Sequence, residues 1–319
     1  MNNNVEHTPL LSLCIPTNGA LHWVGPVIDS IYSQECDESL FEVLISDNAK
    51  NPELKSFVEN YGRDNISYME SDAQGFLNIV SSFRAAKGKF CKLINHRAKL
   101  KESSLQLIIE TIVRHQEEQP VIYFTNGVIG MNPPEILCQN LDELVNNLHY
   151  YCTWMAGIGV WQKDIPSLNN IEFNKMFPNT SILFEQRQND SRYLLSNIVF
   201  FEEQNGSGKG FYNLFNTFAV VFPDMLVDLK KRGRITDQTF KKVMKELFGC
   251  LKNFYKCFYV LYRDDSFDFS EIRKNISVYY PWYSYYLMII SVYLHKDVRS
   301  YYLTKWRKRL LGDEKKHEV

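Results

Sequence analysis

Two short stretches, Leu11-Ser-Leu-Cys-Ile-Pro-Thr-Asn18 and Phe41-Glu-Val-Leu-Ile-Ser-Asp-Asn48, constrain this chain more than any other feature. Each is an apolar run suited to a strand buried on both faces, and each stops at polar, turn-forming residues. A helix-like segment separates them, giving the pair the span of a βαβ unit, about thirty residues. Such units build parallel sheets, and open parallel sheets bind ligands beyond the carboxyl ends of their strands. Thr17, Asn18, Asp47 and Asn48 therefore fall where a nucleotide base and ribose would be held.

The alternation continues through the first 125 residues. Strands are expected at 10–15, 42–46, 66–70, 90–95 and 120–125, and helices at 22–33, 52–61, 76–87 and 102–118. In the last helix Leu105, Ile108, Ile109, Ile112 and Val113 recur at core spacing, while Asn51-Pro52-Glu53 gives the second a cap and a first-turn proline. This order requires a mostly parallel, helix-covered α/β sheet. Beyond it the pattern loosens, with a break at Met131-Asn-Pro-Pro-Glu135, a helix at 140–149, and short strands at 157–162 and 198–201. Asn205-Gly-Ser-Gly-Lys-Gly210 reads as a flexible turn. From about 211 the chain reads as helical, with helices at 235–262, 270–280, 283–296 and 298–311. The expected organisation is a nucleotide-binding half at 1–125, a second half of the same domain at 126–225, and a helical region at 226–319.

Composition narrows the function classes. A chain of 319 residues that is 45% hydrophobic and 23% charged buries a substantial core. A formal net charge of −1 supplies no overall field for nucleic acid, and the basic run Lys305-Trp-Arg-Lys-Arg309 has acidic neighbours and no accompanying nucleic-acid motif. The seven cysteines are dispersed, with no Cys-x-x-Cys spacing, which fits reduced thiols in a cytoplasmic protein. The N-terminal residues lack the blocks of a signal peptide, and the apolar stretch from Tyr279 to Leu294 is short and interrupted by Pro281.

Five short motifs follow one another in the order of a known family. They are Ser12-Leu-Cys-Ile-Pro-Thr17, Ser30-Ile-Tyr-Ser-Gln34, Phe41-Glu-Val-Leu-Ile-Ser-Asp-Asn48, Gly75-Phe-Leu-Asn78 and Ala86-Lys-Gly-Lys-Phe90. With this spacing the first half resembles a family-2 glycosyltransferase of the GT-A fold, well over residues 10–105 and loosely over 150–225. The resemblance implies transfer of a sugar from a nucleotide-sugar donor to a saccharide hydroxyl, with inversion, in the synthesis of a surface polysaccharide or oligosaccharide. It implies that Pro16 and Thr17 line the base pocket and that Asp47 accepts a hydrogen bond from the base. By the same resemblance Asp72, Gly75 and Asn78 lie near the ribose or phosphates.

The chain departs from that family where the fourth strand ends. The family carries an Asp-x-Asp there, whose oxygens hold Mg²⁺ or Mn²⁺ on the donor diphosphate. Here the matching residues are Asn95, His96 and Arg97, followed by Ala98-Lys-Leu-Lys101. A guanidinium offers a planar fork of donors that suits phosphate oxygens, so Arg97, with help from Lys99 or His96, is expected to replace the metal. The alternative is a catalytically silent glycosyltransferase-like module that binds a donor, a glycan or a partner subunit. A third reading is a transferase for another activated donor, such as a cytidine monophosphate sugar. The usual Glu-Asp of the acceptor side is matched by Asn179 and Thr180, neither of which is a base near neutral pH. Candidate carboxylates nearby are Glu185, Asp164 and Asp190, with His149 as a further candidate base.

The last third mixes tyrosine and tryptophan with lysine and arginine between 271 and 311. That mixture suits a peripheral membrane surface, and a lipid-linked saccharide acceptor would make such docking useful. Its alternative is a tyrosine-rich helical bundle that packs on the sheet domain or forms a homo-oligomer.

Overall fold

The computed structural model describes residues 8–187, 191–204 and 210–310, with side chains to 307. The chain divides into two compact units, Met1–Asn205 and Gly206–Val319, a division earlier than the expected 225/226. Asp190 and nearly all of the 205–210 turn lie outside the described residues.

The first unit alternates strand and helix as β1 (Leu11–Thr17), α1 (Leu21–Tyr32), β2 (Phe41–Asp47), α2 (Pro52–Glu59), β3 (Ile66–Glu70), α3 (Asn78–Ala85), β4 (Phe90–Leu93), β5 (Ala98–Leu100), α4 (Ser104–Arg114) and β6 (Val121–Phe124). It continues with β7 (Glu135–Cys138), α5 (Leu141–Leu148), β8 (Gly159–Trp161), α6 (Pro178–Glu185), β9 (Tyr193–Ser196) and β10 (Phe201–Glu203). The main sheet has the order β3-β2-β1-β4-β8. All its pairs are parallel except β4 with β8. A second sheet has the order β6-β9-β7, and β5 pairs with β10. This is the α/β architecture expected: a largely parallel sheet flanked by helices, followed by a helical region.

Register explains the two apolar runs. Leu11 to Thr17 pair one-to-one with Phe41 to Asp47, so the polar ends of both strands are level. Leu11, Leu13 and Ile15 join one core with Val24 and Ile28 of α1 and Leu105 and Ile112 of α4. Ser12 and Cys14 turn to the opposite face, where the Cys14 thiol reaches the Ser82 carbonyl of α3 at 3.8 Å. Burial raises that thiol well above its usual range, so it serves as a packed apolar group.

Two motifs have physical explanations at this level. Ser30 Oγ accepts the Leu100 N–H and Gln34 Oε1 accepts the Leu105 N–H, both at 2.9 Å, so the end of α1 holds β5 and the start of α4. A Cβ on Gly88 would lie 2.6 Å from the Ser12 backbone nitrogen, so only glycine lets this turn close against β1. Its N–H donates to Ser12 Oγ at 2.7 Å.

The expected strand at 198–201 is displaced. The buried strand is Tyr193–Ser196, which enters the second sheet between β6 and β7. Asn126 explains the interruption: its Oδ1 accepts the N–H groups of Phe200 and Phe201, at 2.8 and 3.2 Å. Those donors are satisfied without a ladder at Phe200. The second unit pairs Tyr212–Asn213 with Phe267–Asp268, and helices at Phe222–Lys231, Asp237–Phe254, Ile272–Tyr279, Ser284–Leu294 and Lys296–Leu310 make up most of it. The helix expected over 235–262 is α-helical only to Phe254 and continues as wider turns through Tyr255–Leu261.

Candidate functional site

The carboxyl ends of β1, β2 and β4 gather most of the residues singled out in the sequence. A stiff polar scaffold occupies the β1–β2 side. Asn78, fully buried at the start of α3, donates to the carbonyls of Ser46 (2.7 Å) and Thr17 (3.2 Å) and accepts from Ser46 Oγ (2.7 Å). It ties the two strand ends together from beneath. The Asn48 amide reaches the carbonyls of Ala73 and Gly75, at 3.1 and 3.2 Å, and so holds the loop before α3. Gly75 takes a positive φ of 54° in that loop.

Asp47 has no exposed surface. Its carboxylate accepts the N–H groups of Ala49 (2.9 Å) and Asn51 (2.8 Å) and the Tyr68 hydroxyl (3.0 Å). A carboxylate that accepts several donors of its own loop organises a turn. Gly19 completes the turn at φ 80°: a Cβ there would stand 2.8 Å from the Asn51 Cβ, and its carbonyl accepts from the Asn51 amide at 2.8 Å. The loops after β1 and β2 thus form one fused wall. Asn18 is exposed on it, Pro16 is half-buried, and Thr17 is buried with its hydroxyl unpartnered. Asp72 lies farther out, almost fully exposed, in an ion pair with Lys50 at 2.5 Å. An exposed pair of this kind contributes little to binding or stability.

The β4 side is cationic. Asn95 Oδ1 accepts the Arg97 N–H at 3.0 Å, a tight turn that carries the chain from β4 into β5. The Asn95 amide nitrogen lies 3.6 Å from the Met155 sulfur. Arg97 lies on the face of Trp23 in the first turn of α1, with its guanidinium carbon 4.4 Å from the ring centroid. His22 is adjacent to the same ring, at 4.8 Å between centroids. Burial depresses the Arg97 pKa and Glu203 opposes that shift, so the side chain is a partly desolvated cation beside an acid. Gln204 closes the group, donating from its backbone to the Arg97 carbonyl at 2.9 Å and from its side chain to the Trp23 carbonyl at 3.0 Å.

The two expected helpers of Arg97 have different surroundings. His96 is pushed down to about 4, by burial first and then by Arg97 and His22, against a hydrogen bond to the Pro16 backbone. It is neutral at pH 7 and lends no charge to a phosphate. Lys99 sits on β5 and lines a cavity of about 780 Å³ with Asp29, Ser30 and Glu202, beside α1. This donor set also fits a hard divalent ion badly. Asn95 Oδ1 is bonded within its own turn, His96 is tied to Pro16, and a guanidinium stands beside them. Among the described residues no three His, Cys, Asp or Glu side chains converge.

On the acceptor side, Asp164 is held in an ion pair. It is buried and paired two-pronged with Arg187, at 3.0 Å from Nε to Oδ1 and 2.6 Å from Nη2 to Oδ2. Arg187 also donates to the Gln119 carbonyl at 2.7 Å. Asn179 and Thr180, in the first turn of α6, donate to the carbonyls of Thr153 and Cys152, at 3.1 and 3.0 Å. Glu185 is half-buried at the last turn of α6, and His149 terminates α5 with φ 52°.

Sequence reasoning missed Trp23, Glu203 and Gly19. Trp23 reads as one more apolar position of α1, and Glu203 as a surface charge. Only the return of β10 alongside β5 brings Glu203 to Arg97.

No protein-family model matches this chain, and no curated protein matches it in sequence. Solved structures do. S. aureus TarS residues 1–349, in complex with UDP-GlcNAc, superposes with a TM-score of 0.56 at 14% identity, covering 83% of this chain and 79% of that one. The mannosyltransferase PcManGT from Pyrobaculum calidifontis, in complex with GDP-Man and Mn²⁺, superposes with a TM-score of 0.51 at 14% identity, covering 97% and 89%. The chain has the GT-A-like fold of these nucleotide-sugar-binding proteins.

Proposed function

We propose that this protein is a glycosyltransferase that moves a sugar from a nucleotide-sugar donor to a saccharide hydroxyl, with Arg97 in place of a divalent cation on the donor diphosphate. One observation carries the reading. A guanidinium stacked on Trp23 stands at the carboxyl end of β4, beside the wall fused from the β1 and β2 loops, on a fold shared with proteins that bind UDP-GlcNAc and GDP-Man. Pro16, Asn18 and the loop held by Asn48 present the surface for the nucleoside. Asp47 and Asn78 act through that wall: they fix its shape, because their polar atoms are already bonded within it.

In the reaction the acceptor hydroxyl oxygen bonds to the anomeric carbon while the bond from that carbon to the diphosphate oxygen breaks. The leaving diphosphate takes the bonding electrons, and the Arg97 N–H groups stabilise the added charge. Attack from the face opposite the leaving group inverts the anomeric centre. The hydroxyl proton passes to a base; with Asp164 bound to Arg187, Glu185 of α6 is the carboxylate to test in that role. The saccharide acceptor belongs to a surface polysaccharide or oligosaccharide, and a lipid-linked form is compatible with the same chemistry.

A second reading has its own support. Asn179 and Thr180 stand where an acid would be expected, and both side chains are bonded to backbone carbonyls, which suits a silent module that binds a donor without turning it over. Nucleotide release from a panel of UDP-, GDP- and CMP-sugars with mixed oligosaccharide acceptors separates the two. Turnover with one donor, reduced about a hundredfold by Arg97→Ala, supports the transferase. Donor binding without release supports the silent module.

A further inference from the structure

Large apolar side chains are exposed unevenly in the second unit, and the exposed ones form a pattern. On the helix Ser284–Leu294, Ser284, Met288 and Val292 are buried, four residues apart. Tyr283, Tyr286, Leu287, Ile290 and Leu294 recur on the other side at helical spacing, each between 40% and 67% exposed. The next helix, Lys296–Leu310, adds exposed Tyr302, Leu303 and Trp306 on one face. Tyr293 stacks on Tyr302 with centroids 6.0 Å apart and planes at 28°, so the two faces are continuous. Soluble surfaces rarely leave such a contiguous patch uncovered.

The charges around the patch identify its partner. Asp297 is the one acid between Ile272 and Arg309, and it is paired with His295 at 3.4 Å and Lys256 at 3.7 Å. Against it stand Arg273, Lys296 and Arg299, with Lys305 and Arg307 farther along the last helix, while Lys274 is paired with Glu271 at 2.9 Å. Arg273 lies over the Tyr286 ring at 5.4 Å, at the edge of the apolar stripe. A two-fold pairing with a second copy would set this basic face against itself. An anionic bilayer surface accepts both components, with leucine and isoleucine entering the acyl boundary, tyrosine and tryptophan at headgroup level, and cations meeting the lipid charge. Among the described residues no helix is long and apolar enough to cross a membrane, so the mode available to this face is lying on the surface.

We propose that the outward face of Ser284–Leu294 and Lys296–Leu310 docks on an anionic lipid surface. This goes beyond the transferase reading and does not depend on it. The test is co-sedimentation of the full chain with vesicles of phosphatidylcholine alone or mixed with phosphatidylglycerol. Binding to the mixed vesicles, weak or absent binding to phosphatidylcholine, and loss of binding at high salt are expected. The triple variant Leu287→Ser, Ile290→Ser, Leu294→Ser, at exposed positions, is expected to partition about tenfold less with its thermal unfolding unchanged. Should that variant fail to fold, quenching of the wild-type tryptophans by brominated lipid reads the same contact. Absence of binding to anionic vesicles, absence of quenching, or a folded triple variant that binds as well as wild type overturns the proposal. So does a concentration-dependent dimer that the triple variant abolishes, since the face would then belong to a second copy.

Discussion

At the residue scale, the site separates side chains that shape the crevice from Arg97, the one proposed to meet a phosphate. Asn78 belongs to the first kind, with three hydrogen bonds on two strand ends. Asn78→Ala removes three buried hydrogen bonds and leaves the Ser46 hydroxyl without its acceptor, while the Thr17 carbonyl keeps the Asn48 N–H at 3.1 Å, so chemical denaturation should show a loss of about 2 kcal/mol. Asp164→Ala strands the half-buried Arg187 cation and should cost about 3 kcal/mol by the same measurement, with donor affinity in the folded fraction unchanged. His96 gives a pH signature. Its pKa lies below the ordinary imidazole value of about 6.5, so the fold favours the neutral ring, and the unfolded chain binds more protons between these limits. Its contribution is complete above pH 6.5 and is lost as pH falls through about 4. His96→Gln should flatten the stability profile in that window, measured by denaturant titration across pH. Asp47 and Asn78 stand out in the sequence because each sits in a motif, and Arg97 because it stands where the family pattern breaks; the hydrogen bonds of the first two at the strand ends come only with the fold. Trp23 and Glu203 do not stand out, because their roles come from contact with Arg97 across long stretches of chain.

At the element scale, β1, β2, β4 and β6 were legible because buried apolar runs with abrupt polar ends leave little ambiguity, and β3 was found with them. The short β5 was not, and Val113 of α4, grouped with its core positions, is 47% exposed. The strand β9 was not legible either. Its four residues are followed at once by the aromatic run Ile198-Val-Phe-Phe201, which carries the stronger strand signal and is diverted by Asn126. The strand β7 follows Pro133-Pro134, which reads as a break. The serine and glutamine that end α1 fit a family motif in sequence, but the sequence does not disclose their work of holding β5 and α4 from a distance. Gln34→Ala frees a backbone donor at the start of α4 and should cost about 1 kcal/mol, with faster amide exchange at Leu105 than at core positions of the same helix.

At the scale of the whole molecule, the fold persists where sequence likeness has faded to 14%. Chemistry follows local residues and not the fold, so the proposed mode of donor binding rests on the strand-end triplet Asn95-His96-Arg97 and not on the architecture. The Met1–Asn205 unit contains the complete site described above and its own core, so residues 1–205 expressed alone should unfold cooperatively in a thermal melt followed by circular dichroism. The central claim is tested most directly by calorimetric titration of UDP and GDP into the full chain, in EDTA and then in Mn²⁺, for wild type and Arg97→Ala. One nucleotide is expected to bind in EDTA, and to bind about tenfold or more weakly to Arg97→Ala. Binding that requires Mn²⁺, or that Arg97→Ala leaves unchanged, would contradict the central claim.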